Sequence, residues 1–187
     1  MKKVEALNKY DKVKLSEIRY GLEGFYLTLT KLIIMAVLAF MFNIEKQTFL
    51  LFLLYLPIRT FSFGFHANTS FQCLVMSLIS FLLLPLLANY FTLKTISKII
   101  IYSILIIAYF IMAPKDTHKK PIRNKKKRFY LKIVSVIIVS LYLIISLTIK
   151  NNLIINLMLL ALLLQLIMIS PIPFIIFKQK YNFKWFK

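Results

Sequence analysis

The sequence predicts an all-α membrane protein of about six transmembrane helices, with an N-terminal amphipathic interfacial helix and both termini cytoplasmic. Three observations predict it. Sixty per cent of the 187 residues are hydrophobic and the mean hydropathy is +0.78, which is more apolar surface than a soluble domain of this size can bury. Those residues fall into runs near the roughly 20 that a helix needs to cross a bilayer. The charge is lopsided: 25 Lys and Arg stand against six Asp and Glu, for a net +19. On a chain of apolar runs, that excess points to anionic lipid headgroups and the positive-inside rule, with no nucleic-acid partner expected. The single cysteine, Cys73, excludes an internal disulfide. Two histidines, His66 and His118, cannot fill a multi-histidine metal site, so neither a metal nor another cofactor is expected. The first 24 residues are charged throughout and lack the apolar core of a signal peptide.

The N-terminal segment, residues 1–24, reads as the interfacial helix. Leu15, Ile18, Leu22 and Phe25 make one apolar stripe, and the lysines around it can snorkel to headgroups. Within residues 1–12, where Asp11 breaks the pattern, a solvated basic tail is the alternative. Residues 25–187 form one polytopic domain, with spans expected at Phe25–Phe42, Thr48–Phe63, Phe71–Tyr90, Ile96–Met112, Leu131–Ile149 and Leu153–Phe177. Pro57 and Arg59 should bend or unwind the inner end of the second. Pro171 and Pro173 should end or kink the last near Ser170. Counting loops alternately puts twenty Lys and Arg on one side and four on the other, with Lys31 left inside the first span. Both termini and the loops near 59–70 and 114–130 therefore belong on the cytoplasmic side.

Polar residues crowd one membrane edge, from Arg59 to Cys73, and such crowding within a membrane protein signals function. Asn68, Thr69 and Ser70 precede an apolar helix and suit its N-cap, and Thr69 with Gln72 fits a capping box. With Ser70 as cap, Cys73 takes the third helical position, where the helix N-terminus favours a thiolate. A small buried apolar residue is the plainer role for a lone cysteine. His66 supplies what a nucleophilic thiol needs, a base that takes its proton and returns it to the leaving amine. The two residues are seven apart. On one unbroken helix they would lie ~10 Å apart along the axis, so the loop must fold back, as Gly64 and the Asn-Thr-Ser run allow. A histidine bonded to an interfacial carbonyl is the alternative. Arg59 is either a clamp for a substrate carboxylate, a partner of the oxyanion region or a positive-inside anchor. Glu23 or Asp116 could orient the His66 ring. Asn68 or Gln72 could do so instead, or donate to an oxyanion. The basic run after Asp116 is a topology signal that would also attract an acidic peptide, and His118 within it reads as solvated.

Arg59, Gly64, His66 and Cys73, spaced R-x4-G-x-H-x6-C between two spans, resemble the accessory gene regulator B family. So does the later Ala113-Pro114, Asp116-Thr117 and Lys120-Pro121 loop with its basic run, and the likeness in size and span order covers nearly the whole chain. One departure is that Phe63 and Phe65 flank Gly64, where members often carry a second glycine or a Gly-His pairing. The resemblance implies a membrane-embedded cysteine endopeptidase of Gram-positive quorum sensing, multi-pass in the cell membrane, with the membrane lipids and a homodimer partner. It would cleave the C-terminal segment from an autoinducing-peptide precursor, keep the rest as an acyl-enzyme thioester, and lead to a cyclic thiolactone or lactone. It implies Cys73 as nucleophile and His66 as base, with Arg59 and Gly64 supporting them. Phe61, Phe63, Phe65 and Phe71 would wall the site and limit water. Two competitors remain: a non-catalytic peptide exporter or assembly factor, for which Cys73 is dispensable, and a metal-dependent protease, for which the sequence lacks an H-E-x-x-H motif.

Overall fold

The structure is a computed structural model that describes residues 2–65, 69–116, 122 and 124–177. It is an all-α bundle: α1 (Lys2–Met41), α2 (Glu45–Ser62), α3 (Ser70–Leu87), α4 (Thr95–Met112), α5 (Lys125–Thr148), α6 (Asn152–Ile169) and the short α7 (Pro171–Ile176). Among the described residues, four helices are long and apolar enough to cross a membrane: Gly24–Met41 of α1, together with α4, α5 and α6. The apolar stretch of α3, Phe71–Leu87, is shorter, and α2 carries Glu45, Lys46 and Arg59. The chain is thus a multi-pass membrane protein, and two of the six expected spans do not meet the length and apolarity of a span by themselves.

The expected interfacial helix and first span are one continuous helix, α1. Gly21 and Gly24 each cost the helix about 1 kcal/mol, and no proline stands near them to stop the hydrogen-bond ladder. The stripe residues Leu15, Ile18, Leu22 and Phe25 are all exposed. The last expected span divides at Ser170, whose hydroxyl accepts from the Ile172 N–H at 3.3 Å and starts α7 with Pro171 in its first turn.

The most deeply buried helix is α6. Its Leu162 and Met158 join Tyr102 and Tyr109 of α4 and Val139 of α5 in the main core, and Leu157 and Ala161 pack with Leu51 of α2 and Phe81 of α3. Interhelical polar bonds fix the register. The Tyr109 hydroxyl donates to the Leu162 carbonyl at 2.8 Å, and the Tyr142 hydroxyl to the Leu54 carbonyl at 2.7 Å. Pro85 leaves the Phe81 carbonyl without its helical donor, and buried Thr48 of α2 supplies one at 3.2 Å.

These contacts also say which helix ends meet. At one end, buried Asn156 at the start of α6 donates to the Ala88 and Phe91 carbonyls after α3, at 2.7 and 2.5 Å. Lys98 at the start of α4 there reaches the Ser146 carbonyl near the end of α5. At the other end, the turn after α2 bonds to the loop after α4 and to the end of α6. The loop after α4 is in turn tied to α5 by the Asp116–Arg128 ion pair at 2.7 Å. Asn156→Leu leaves two buried carbonyls unmet and is expected to cost about 1–2 kcal/mol, read as earlier thermal unfolding of the purified protein in detergent.

Candidate active site

The helix α2 stops at Ser62 because the next two residues leave helical space: Phe63 has φ 56° and Gly64 has φ 114°. Gly64 is required there twice over. Its φ is one that side-chain-bearing residues rarely adopt, and a Cβ would lie 2.8 Å from the Met168 carbonyl oxygen and 3.1 Å from Arg59 Nη1. Phe63 takes a left-handed φ as well, although it carries a bulky side chain that makes this conformation uncommon.

The turn is tied down on every side. The Gly64 N–H donates to the Lys115 carbonyl at 2.9 Å, the Lys115 N–H to the Ser62 carbonyl at 3.0 Å, and the Phe65 N–H to the Met168 carbonyl at 2.7 Å. Phe63 and Lys115 thereby form an isolated parallel bridge. Arg59 Nη1 donates to the Phe63 carbonyl at 2.9 Å and Nη2 to the Phe65 carbonyl at 2.8 Å. Gln165, fully buried in α6, donates to Ser62 Oγ at 2.6 Å and to the Phe63 carbonyl at 2.5 Å. Phe65 is buried against the rings of Phe174 and Phe177.

On the far side of this turn, α3 starts at Ser70. Its N-cap is Thr69, whose Oγ1 accepts from the Gln72 N–H at 3.3 Å. Ser70 is therefore the first helical residue and Cys73 the fourth, one position later than expected with Ser70 as cap. The Cys73 N–H is already taken by the Thr69 carbonyl at 3.2 Å. The thiol, partly buried, opens into a cavity of about 280 Å³ lined also by Lys31, Tyr55, Arg59, Phe65, Ser77 and Met168. A second cavity of about 160 Å³, walled mainly by apolar residues such as Leu32, Met35, Phe52 and Leu78, shares Thr28, Lys31, Ser77 and Phe81 with the first. Lys31 of α1 points its ammonium at the sulfur, with Nζ donating to Sγ at 3.1 Å. Among the described residues, no acidic side chain lines either cavity.

The other expected residues fall as follows. Arg59 lines the cavity, with its guanidinium held on two carbonyls of its own chain. Gly64 shapes the turn. Asp116 lies outside the cavity wall, its Oδ2 accepting from Arg128 at 2.7 Å and from the Ile122 N–H at 3.3 Å. Gln72 is near the helix start, and its Oε1 is buried without a hydrogen-bond partner among the described residues. Glu23 lies within α1. His66, Asn68 and His118 lie outside the described residues, so the fold-back between His66 and Cys73 is shown only at its edges, where α2 ends and α3 begins. Of the four phenylalanines expected as walls, Phe65 lines the cavity, whereas Phe71 is 73% exposed because it stands on the outer face of α3. Among the described residues no cluster of His, Cys, Asp and Glu could hold a metal ion.

The family model of accessory gene regulator B matches residues 1–169. The chain belongs to that family. Accessory gene regulator protein B of Staphylococcus carnosus strain TM300 is 32% identical over 146 residues, covering 77% of this chain and 75% of its own. The Staphylococcus aureus strain Newman protein of the same name is 34% identical over 142 residues, covering 74% and 75%. A putative AgrB-like protein of Clostridium acetobutylicum is 29% identical over 179 residues, covering 94% and 86%. No solved structure matches the chain.

Two residues of this accessory gene regulator B site escaped the sequence argument. Lys31 gave a signal that went unused, a cation inside an apolar span, which by itself marks a candidate site. Gln165 gave a similar one, as the amide in the apolar run of α6.

Lys115 adds a titration. Burial pushes its ammonium down from the usual 10.5 to about 8, against the neighbouring Asp116, which pulls the other way. A lysine lowered on folding binds fewer protons folded than unfolded between these values, so its charge opposes folding most fully below about 8. Its contribution to stability should rise as pH climbs from about 8 to 10.5, and Lys115→Met should flatten that rise in melting-temperature scans across the window. Gly64→Ala should cost about 2 kcal/mol or more through the strained φ and the Met168 contact, measurable as lost thermal stability alongside wild-type membrane insertion.

Proposed function

We propose that the chain is a membrane-embedded cysteine endopeptidase acting on an autoinducing-peptide precursor in quorum sensing. The observation that carries this is the placement of Cys73, the one thiol of the chain, in an open cavity with a cationic wall at the bundle end where the 62–65 turn meets the Lys115 loop. Family membership supports the peptide-processing role. His66 follows directly on Phe65, which shares the cavity wall with Cys73, and this supports His66 as the base.

In the proposed reaction the His66 imidazole takes the thiol proton. Sγ attacks the scissile carbonyl carbon, and the carbonyl electron pair moves onto oxygen. The C–N bond then breaks, and the leaving amine takes the proton back from the imidazolium. The N-terminal part of the precursor stays on Cys73 as a thioester, and the C-terminal fragment leaves. An internal thiol or hydroxyl of the precursor next attacks the thioester, forms a thiolactone or lactone and regenerates Cys73. Held in one site, the two reacting ends close as a unimolecular step. Arg59 and Gly64 hold the backbone around the sulfur, and Asn68 or Gln72 donates to the oxyanion. Asp116 or Glu23 is the candidate third partner of His66.

The proposal includes six membrane crossings, α2 and α3 among them, with both termini cytoplasmic. It places the site on the cytoplasmic side of a Gram-positive cell membrane, open to the precursor, and allows a homodimer. Co-expression with a precursor peptide bearing a central Cys or Ser and an acidic tail tests it. Cys73→Ser and His66→Ala should each abolish release of the C-terminal fragment, seen by mass spectrometry, with membrane insertion unchanged. Normal cleavage by either variant overturns the assignment and leaves a non-catalytic export role.

A further inference from the structure

Lys31 is the charge that neither the topology count nor the peptidase mechanism uses. A lysine within an apolar helix is costly and persists where it has a partner or a function. Here it lies on the α1 face that lines the cavities, with Thr28, Leu32 and Met35 at helical spacing. Its ammonium donates to Cys73 Sγ at 3.1 Å, across 42 residues of sequence. Among the described residues, the walls of both cavities hold no carboxylate that could take the sulfur's place.

We propose that Lys31 is a further catalytic residue, whose ammonium carries the counter-charge of the Cys73 thiolate both when the sulfur attacks and when it leaves. This rests on the peptidase mechanism proposed above. An ammonium beside the sulfur favours the thiolate, the form that attacks a carbonyl. Once Sγ is acylated it is neutral, and Lys31 faces it without a counter-charge. The thioester is thereby made the less favoured state, and the thiolate the better leaving group. When the precursor's own thiol or hydroxyl attacks, a new C–S or C–O bond forms and its proton passes to His66. The C–Sγ bond breaks, and its electron pair returns to the sulfur beside Nζ. The same pair thus favours ring closure over a lingering acyl-enzyme.

The test uses the full chain in membranes, with iodoacetamide as probe of Cys73 and Lys31→Met, Lys31→Gln and Lys31→Arg as variants. Loss of the charge should slow alkylation by about tenfold or more, while Lys31→Arg stays near wild type. With the precursor present, Lys31→Met and Lys31→Gln should raise the ratio of acyl-enzyme to cyclic product, seen by intact-protein mass spectrometry. Alkylation equally fast in wild type, Lys31→Gln and Lys31→Arg overturns the proposal, and does so even if Cys73→Ser abolishes processing. Normal processing by Cys73→Ser overturns instead the peptidase mechanism and the catalytic role built on it, whatever the alkylation rates. Slow alkylation in Lys31→Arg as well as Lys31→Gln would mean that shape and not charge is at stake, and also overturns it.

Discussion

A backbone that leaves the helix inside an apolar bundle must find a partner for each of its N–H and C=O groups, because there is little water to take them. The turn from Ser62 to Phe65 meets that constraint, and the site is built by how it does so. The Gly64 and Phe65 N–H groups go to carbonyls of Lys115 and Met168. The Phe63 and Phe65 carbonyls go to Arg59, and Phe63 also to Gln165. The partners come from three parts of the chain: α2 itself, the loop after α4 and the end of α6. The turn therefore cannot shift without moving the loop after α4 and the end of α6, and Phe65 is held where it closes one wall of the Cys73 cavity.

Among the described residues two cations border that cavity, and they are held differently. The guanidinium of Arg59 has its planar fork committed to two carbonyls, the geometry for which arginine is suited and lysine is not. The ammonium of Lys31 is a compact point charge set against the sulfur. An ammonium set there, with no acid beside it among the described residues, favours electron-rich groups over neutral ones. A thiolate is one such group, and the oxygen of a tetrahedral intermediate in the proposed reaction is another. The low polarity of the surrounding helices strengthens both preferences.

Much of this was legible in the sequence where the cause is local. Pro171 after Ser170 announces the division between α6 and α7, whereas Pro57 and Arg59, expected to bend or unwind the inner end of the second span, stand inside a helix that runs on to Ser62. Thr69 before Ser70 offered the cap, although which of the two takes the role depends on where the chain enters the helix, and that displaced Cys73 by one position. What the sequence did not yield is long-range. Nothing near Lys31 names Cys73 as its partner, and nothing near Gln165 names Ser62 and Phe63. Arg59 was read against a ligand or a headgroup because its partners, the Phe63 and Phe65 carbonyls, become available only once the helix has ended. The continuity of α1 was hidden for the opposite reason: a change in composition near Gly24 looks like a boundary, but the backbone ladder does not depend on polarity.

The two ends of the bundle differ in the same sense as the charge. The contacts gather the end of α2, the end of α4, the start of α5 and the end of α6 at one pole, and the end of α3, the starts of α4 and α6 and the end of α5 at the other. The first pole carries the described residues at 59–65, 113–116 and 124–130, which belong to the basic side of the sequence count. Arg59 is turned inward onto backbone and so does no work as a headgroup anchor, while Lys98 on the sparsely charged side is buried and bonded to Ser146. Discounting both leaves the asymmetry as steep as before, because it rests on the N-terminal segment, the run around Arg128 and the tail. The cytoplasmic placement proposed for the site therefore draws mostly on charges outside it, and Arg128, paired with Asp116, is one that also braces the loop holding the turn.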